Sequence, residues 1–149
     1  MKAIVVLVCL SPLLAAAAGP AAAPTPYDAA RAAAQVQKIV AGLGEKAALP
    51  ANQAFGDITI SPTSSVERYL RIMDEGFSRS LGVDCTWCHD PADWSRDSAG
   101  KFAVTRAMWT MVYRINQDDL RKMPDVDRKA RVNCATCHRG ELKPAQNLD

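Results

Sequence analysis

Two pentapeptides of one form decide how this chain folds: residues 85–89 are C-T-W-C-H and residues 134–138 are C-A-T-C-H. Both match C-x-x-C-H, the pattern that attaches a c-type haem. Two thiols three positions apart can bond to the same porphyrin, and the imidazole that follows them can then bind the iron as its proximal ligand. Because both histidines of the chain stand in these motifs, the sequence predicts two covalently bound c-type haems.

The residues predicted to hold the two haems fall into two kinds. The thioether bonds are assigned to Cys85, Cys88, Cys134 and Cys137, and the proximal iron ligands are His89 and His138.

Two other uses of the four cysteines fit less well. A zinc ribbon would need both pairs to bind one ion, but 45 residues separate Cys88 from Cys134, against roughly 15–20 in a compact zinc site. Disulfide bonds would not require a histidine after each pair, and no thioredoxin-like βαβ pattern surrounds either motif. Haem attachment is the interpretation that uses all six residues.

A sixth ligand for the first iron is available on the preceding helix. With both histidines used, a strong sixth ligand must be methionine, lysine or a backbone amine, or else the iron stays open. Met73 lies 12 residues before Cys85 on a predicted apolar stripe. A turn at Gly82 would bring residues 85–89 back beside that stripe, so we expect Met73 to bind the first iron.

The second iron has two candidate sixth ligands. Met108 and Met111 lie 26 and 23 residues before Cys134, on one face of a predicted helix. One of them would bind the iron and the other would pack against the ring. Met123 lies in a loop before a proline. Spacing alone leaves Met108 and Met111 as alternatives.

Hydrophobic periodicity predicts a mainly α fold, a small helical multihaem cytochrome whose helices pack on the two covalently attached haems. Ala-rich residues 27–41 predict a first helix. Ser64 and Glu67 form a capping-box pattern, which predicts the start of a second helix that ends near Gly82. Residues 101–119 predict a third helix.

The remaining segments predict little regular structure. Residues 50–62 alternate weakly between apolar and polar side chains, which favours an extended segment. Residues 120–133 are charged and contain a proline, so an ordered loop or a short helical turn is expected there. No strand pattern is strong enough to predict a sheet.

The first 18 residues have the form of a cleaved export signal, with a short positive start, an apolar run and small residues before the cleavage position after Ala18. About a dozen apolar residues fall short of the roughly 20 that a spanning helix needs. We therefore expect a periplasmic or otherwise exported protein with no stable membrane span after signal cleavage. The predicted organisation is a signal peptide at 1–18, an Ala/Pro-rich leader and N-terminal helix at 19–50, and a di-haem cytochrome c domain at 51–149.

Length and charge narrow the function classes further. The 149 residues allow one domain or two very small ones. Eighteen basic against sixteen acidic residues give a net charge of +2, too balanced for a nucleic-acid binder that works through bulk electrostatics.

Three runs of residues occur in a characteristic order. They are S-L-G-V-D-C-T-W-C-H at 80–89, R-A-M-W-T-M at 106–111 followed by I-N at 115–116, and C-A-T-C-H-R-G at 134–140. The motifs and their order resemble the cytochrome subunit of photosynthetic reaction centres, over roughly residues 51–144. The resemblance implies a di-haem arrangement in which a helix supplying a methionine precedes each attachment motif. It also implies that the first methionine of R-x-M-x-x-M, here Met108, is the ligand.

The photosynthetic subunit carries four haems in two such halves, and one of those haems has a histidine as its sixth ligand. This sequence contains the motifs of only one half, and both of its histidines belong to those motifs. The resemblance therefore implies an electron carrier and leaves the partner open. We expect the chain to carry single electrons between other redox proteins, with both haems ligated by histidine and methionine, and not to be an enzyme. The alternatives are a peroxidase-like di-haem enzyme or a haem-based sensor, each of which needs one open iron site.

Basic residues are concentrated near the second motif. They are Arg121, Lys122, Arg128, Lys129, Arg131 and Arg139. They form either a docking patch for an acidic redox partner or a mixed, solvated surface, and the sequence leaves both possibilities open.

Overall fold

The computed structural model describes residues 23–98 and 100–147, and these form a mainly α protein. The predicted export signal at 1–18 lies outside the described residues. Within the described residues, no helix is both long enough and apolar enough to cross a membrane.

The first helix, α1, spans Ala29–Leu43 and confirms the Ala-rich prediction. The carboxylate of Asp28 caps its start by accepting a hydrogen bond from the backbone N–H of Arg31 at 2.7 Å. Gly44, with a φ of +54°, ends it, and a 3-10 turn follows over Gly44–Ala48.

A short helix, α2, spans Ala51–Phe55, so the prediction of an extended segment over 50–62 is wrong at its start. Proline has no N–H to lose at a helix start, and the carbonyl of Pro50 accepts the N–H groups of residues 53 and 54. Burial of Ala51 then favours the helix over an exposed strand. The alternation of apolar and polar side chains over residues 50–62 is too weak to outweigh these interactions.

The central helix begins one residue later than the capping-box pattern indicated. It spans Val66–Arg71, which we call α3, and continues without interruption into a π-helical stretch over Ile72–Arg79. The cap is Ser65, whose hydroxyl accepts the N–H of Arg68 at 3.2 Å. Ser64 cannot serve because its hydroxyl donates to the carbonyl of Ser61 in the preceding turn. The predicted Ser64–Glu67 capping box is therefore wrong, although the helix itself is confirmed.

A small hairpin follows the first motif, contrary to the expectation of no sheet. Its strands are β1, His89–Asp90, and β2, Asp93–Asp97, paired antiparallel. The strands are short and polar, so no alternation marked them in the sequence. The turn is closed by the carboxylate of Asp90, which accepts the N–H of Ala92 at 2.9 Å.

The C-terminal part holds two further helices. Helix α4 spans Phe102–Arg114 and continues as a π-helical turn over Ile115–Asp119, which confirms the predicted helix. Residues 120–133 are irregular, as expected. The last helix, α5, is the second motif itself, Cys134–His138, and it is capped by reciprocal hydrogen bonds between Asn133 and Thr136.

The apolar core lies in the N-terminal two thirds of the chain. Its buried side chains are Ala32, Ala51, Ile60, Val66, Leu70, Phe77 and Val83. They come from α1, α2, α3, the π-helical stretch and the segments between them, whereas α4 and α5 contribute no buried residue. The second motif therefore lies at the edge of the fold.

The backbone at Gly82, just before the first motif, lies against the backbone at Gly140, just after the second motif. Its backbone has a φ of +68°, and a Cβ at this position would overlap the carbonyl oxygen of Gly140. The N–H of Gly140 also donates to the carbonyl of Ser80 at 2.9 Å. This close backbone approach attaches the residues after α5 to the end of the π-helical stretch.

An ion pair between exposed Arg31 and buried Asp84 attaches α1 to the first motif. Asp84 is 4% exposed and accepts hydrogen bonds from the Arg31 guanidinium at 2.6 Å and from the Gln35 amide at 3.3 Å. Burial alone would raise the pKa of Asp84, but hydrogen bonds from Thr86, Arg31 and Gln35 outweigh it and lower the pKa to about 2. The backbone beside it is also fixed, because the N–H of Asp84 donates to the carbonyl of Thr25, so the end of the Ala/Pro-rich leader is paired with the first motif.

Replacement of Gly82 by alanine tests the contact between the motifs. Gly56→Ala is the matched control, because Gly56 has a φ of +84° with no atom within 4 Å of its added Cβ. Left-handed backbone costs an L residue about 1–2 kcal/mol, and the overlap with Gly140 adds about 1–3 kcal/mol. Urea unfolding followed by circular dichroism should give a lower midpoint for Gly82→Ala than for Gly56→Ala. Equal midpoints would contradict the close approach.

Asp84→Asn should destabilise the folded state by about 1–3 kcal/mol at neutral pH, because hydrogen bonds to a charged carboxylate are lost. The pKa of Asp84 is lowered in the folded state, so its stabilisation is complete above pH 4 and is lost as the pH falls toward 2. Urea midpoints measured from pH 6 to pH 2 should therefore depend less on pH in Asp84→Asn than in the parent. Asp119→Asn, at an exposed aspartate, should retain the parent profile; unchanged profiles in both variants would exclude the role of Asp84.

Candidate haem sites

The first motif faces a cavity of about 430 Å³, within the range of about 300–1,000 Å³ typical of ligand sites. Met73, Cys85, Cys88 and His89 all line it. The structure thus brings together the four residues that the sequence assigned to the first haem. Met73 comes from the π-helical stretch, and the other three come from the turn and strand that follow Gly82.

The rest of the lining is mostly apolar. Aliphatic and aromatic side chains come from α1, from residues 58–60, from the π-helical stretch and from the start of α4; they include Val36, Ile39, Ile58, Phe77, Leu81 and Phe102. A flat hydrophobic ring such as a porphyrin fits surroundings of this kind, with two thiols, an imidazole and a thioether directed to one space. The donor set and the lining therefore fit a c-type haem.

The thiols of the first motif are uncharged at neutral pH. Burial raises the pKa of Cys85 and raises the pKa of Cys88 to about 11. The hydroxyl of Ser78 donates to Cys85 Sγ at 3.7 Å. A thioether is also uncharged, so the apolar surroundings that favour the protonated thiol suit the attached form as well. The four described cysteines are all free of disulfide bonds.

The hairpin orients His89. Its Nδ1 lies 2.6 Å from the carbonyl oxygen of Trp94 on β2, which makes Nδ1 the protonated nitrogen and leaves the lone pair of Nε2 available to bind a metal. The ring of Phe102 lies 4.9 Å from the imidazole. Burial lowers the pKa of His89, which favours the neutral, ligating form.

Asp97 fixes the position of Phe102. It is the cross-strand partner of His89, and its carboxylate accepts the N–H groups of Lys101 at 2.7 Å and Phe102 at 2.9 Å at the start of α4. Sequence reasoning missed Trp94 and Asp97 in this role, because a backbone carbonyl has no sequence signal. An aspartate four residues before a predicted helix at 101 was the available clue to the cap.

The second motif forms a different site. Cys134 is half-buried, with its pKa raised by burial, whereas Cys137 is exposed. His138 Nδ1 lies 3.0 Å from the carbonyl oxygen of Glu141. His138 is thus oriented in the same way as His89, by a backbone carbonyl a few residues downstream.

The candidate sixth ligands of the second iron lie exposed on α4. Met108 is 40% exposed and Met111 is 45% exposed, and α5 packs against the π-helical stretch. Neither methionine lines the first cavity. The structure brings together Cys134, Cys137 and His138 but does not bury a methionine against them, so the choice between Met108 and Met111 stays as the sequence left it. The donors of this motif, two thiols and an oriented imidazole on one helical turn, fit haem attachment.

The zinc alternative gains no support. In the part of the chain that the structure describes, no three His, Cys, Asp or Glu side chains form a group that could hold a metal ion. The two cysteine pairs therefore do not close on one ion.

Comparisons with known proteins show what this chain is similar to. The family model described as the photosynthetic reaction centre cytochrome C subunit matches residues 19–148. The photosynthetic reaction center cytochrome c subunit of Roseobacter denitrificans is 28% identical over 105 residues, which are 62% of this chain and 28% of that protein. The chain thus spans little more than a quarter of this curated relative, and no solved structure matches it. With its two attachment motifs and a match over nearly all of its length, the chain belongs to the family of photosynthetic reaction centre cytochrome c subunits, which are c-type cytochromes.

Proposed function

We propose that this chain is an exported di-haem c-type cytochrome that carries single electrons between redox proteins, with both irons ligated by histidine and methionine. The observation that carries the proposal is the first cavity, where Met73, Cys85, Cys88 and His89 line one apolar space. The family match supports electron transfer by a c-type cytochrome. When bound, haem supplies an iron that gains or loses one electron.

The residues of the first site would set how readily that iron accepts an electron. The thioether of Met73 and the neutral imidazole of His89 bring no charge, and the lining is mostly apolar. Desolvation disfavours the ferric form, which carries the extra positive charge, and a methionine ligand acts in the same direction. We therefore propose a relatively high-potential carrier.

The second site would use Cys134 and Cys137 for attachment, His138 as proximal ligand and Met108 as sixth ligand. Met108 is preferred because it matches the first methionine of the family pattern, and Met111 is the alternative. The irons would exchange electrons and no substrate bond would be made or broken, so we propose a carrier and not an enzyme. Partners are other redox proteins, and the name of the Roseobacter relative makes a photosynthetic reaction centre one candidate.

Export belongs to the same proposal. Covalent attachment keeps the cofactor on the protein outside the cytoplasm, and residues 1–18 have the form of a cleaved signal. A periplasmic or equivalent location follows from that signal.

Haem stoichiometry tests the proposal directly. Intact mass and pyridine haemochrome spectra of the exported protein should give two covalent haems. The paired substitution of Cys85 and Cys88 by serine should leave one haem, and the same change at Cys134 and Cys137 should also leave one. A parent protein with one haem or none would refute the di-haem assignment.

Met73→Ala should convert one of two low-spin irons to high spin while both haems stay attached, because the thioether that lines the first cavity is removed. Electron paramagnetic resonance and the absorption of the reduced protein with carbon monoxide measure this. Met123→Ala is the control, since Met123 is an exposed methionine of the loop. Carbon monoxide binding by the parent itself would instead favour an enzyme or sensor with an open iron.

Met108→Ala and Met111→Ala form a matched pair on α4, with similar exposure. We expect Met108→Ala to convert the second iron to high spin and Met111→Ala to leave it low-spin. The same resonance spectra distinguish the two, and the reverse result would assign the ligand to Met111.

A further inference from the structure

Charge is unevenly distributed along the described chain. Residues 121–143, which we call the basic segment, contain seven basic and three acidic residues, a net charge of +4. Residues 23–120 contain ten basic and twelve acidic residues, a net charge of −2. The near-neutral total therefore conceals one strongly positive region.

The cations of the basic segment are available to a partner. All seven side chains are exposed, and none forms a salt bridge with a described residue. The cations are Arg121, Lys122, Arg128, Lys129, Arg131, Arg139 and Lys143. Since the segment keeps a net positive charge, its field extends into solvent over about one Debye length, which is ~10 Å at 0.1 M salt.

Hydrogen bonds hold this segment in place. The side chain of Asn116, in the π-helical turn after α4, donates to the carbonyl of Val132 at 2.8 Å and accepts its N–H at 2.9 Å. The guanidinium of Arg131 donates to the carbonyls of Arg128 and Ala130. Docking on a chain that is held at residues 128–132 orders less backbone than docking of a flexible tail would.

The second motif lies inside the basic segment, where Cys137 and Met123 are exposed. The first motif instead faces the cavity that Met73 also lines. Electron exchange between proteins needs a redox centre close to the contact surface, and the second motif meets this condition. Apolar Met123 among cations also matches the composition of a transient interface with a polar rim.

We propose that the basic segment is the docking surface for an acidic redox protein, which exchanges electrons with this chain at the second motif. This inference rests on the proposed function. Complementary charge mainly increases the association rate, from about 10⁵–10⁶ M⁻¹s⁻¹ toward 10⁸–10⁹ M⁻¹s⁻¹ at low salt. Such steering suits a carrier that must bind and release its partner rapidly.

The pattern of charge favours a protein over an anionic lipid surface. Asp125, Asp127 and Glu141 are interspersed with the cations. An anionic membrane would repel these carboxylates, whereas a protein can place single cations opposite them and so fix one orientation.

Paired charge reversal provides the test. The variant Lys122→Glu/Lys129→Glu changes two exposed lysines of the basic segment, and Lys38→Glu/Lys46→Glu changes two exposed lysines of α1 and the turn after it. Both variants alter the net charge equally, so a difference between their rate constants shows that the position of the altered charges matters. The haem-loaded protein is reduced by a plant-type ferredoxin, an acidic one-electron donor, in a stopped-flow instrument.

At low salt we expect the rate constant to fall at least fivefold more in Lys122→Glu/Lys129→Glu than in Lys38→Glu/Lys46→Glu. The difference between the rate constants of the two variants should disappear near 1 M salt, where the Debye length is ~3 Å. The hexaammineruthenium(II) cation should show the opposite order. If folding fails, the Lys→Gln pair at the same positions should give a smaller change of the same sign.

Equal rates in the two variants would overturn the docking surface while leaving the carrier function intact. Loss of binding to phosphatidylserine vesicles by Lys122→Glu/Lys129→Glu, with unchanged ferredoxin rates, would also overturn it in favour of a lipid site. Haem content and spin state are measured on every sample first, so failure of the proposed function would appear there and not in the rates.

Discussion

The close backbone approach at Gly82 is the constraint on which both sites depend. The chain reverses there in a left-handed conformation, and the missing side chain leaves room for the carbonyl of Gly140. The reversal returns the first motif to the helix that carries Met73. The contact with Gly140 holds the residues after the second motif against the end of the same helix. Two attachment sites 45 residues apart in sequence thus share one support.

The two sites differ in how much protein surrounds them. In the first, imidazole, thiols and thioether line a mostly apolar cavity, and burial keeps the ionisable groups among them neutral. In the second, the motif is a single turn of helix at the edge of the fold, and no side chain of α4 or α5 is buried. The protein therefore surrounds the first motif more fully than the second.

The grouping of Met73 with the first motif in one cavity could be predicted from sequence, because these residues are close together in the chain. The spacing of the motif, the glycine before it and the apolar stripe that contains Met73 act within 17 residues. The position of Met108 relative to the second motif could not be predicted. An irregular loop connects α4 to α5, and hydrophobic periodicity does not predict the path of such a loop. Two other errors have similar causes. Ser65 caps the central helix in place of Ser64, because the Ser64 hydroxyl is hydrogen-bonded in the preceding turn. The hairpin was missed because it depends on backbone pairing between mostly polar residues.

The hairpin shows how a feature without sequence signal can link two sites. It begins at His89, and its second strand supplies the carbonyl of Trp94 that orients the imidazole. The same strand ends at Asp97, whose carboxylate caps the helix that carries Met108. Rotation of that helix would move Phe102 against His89. The orientation of the His89 imidazole and the start of the helix that carries Met108 are therefore both fixed by one short strand.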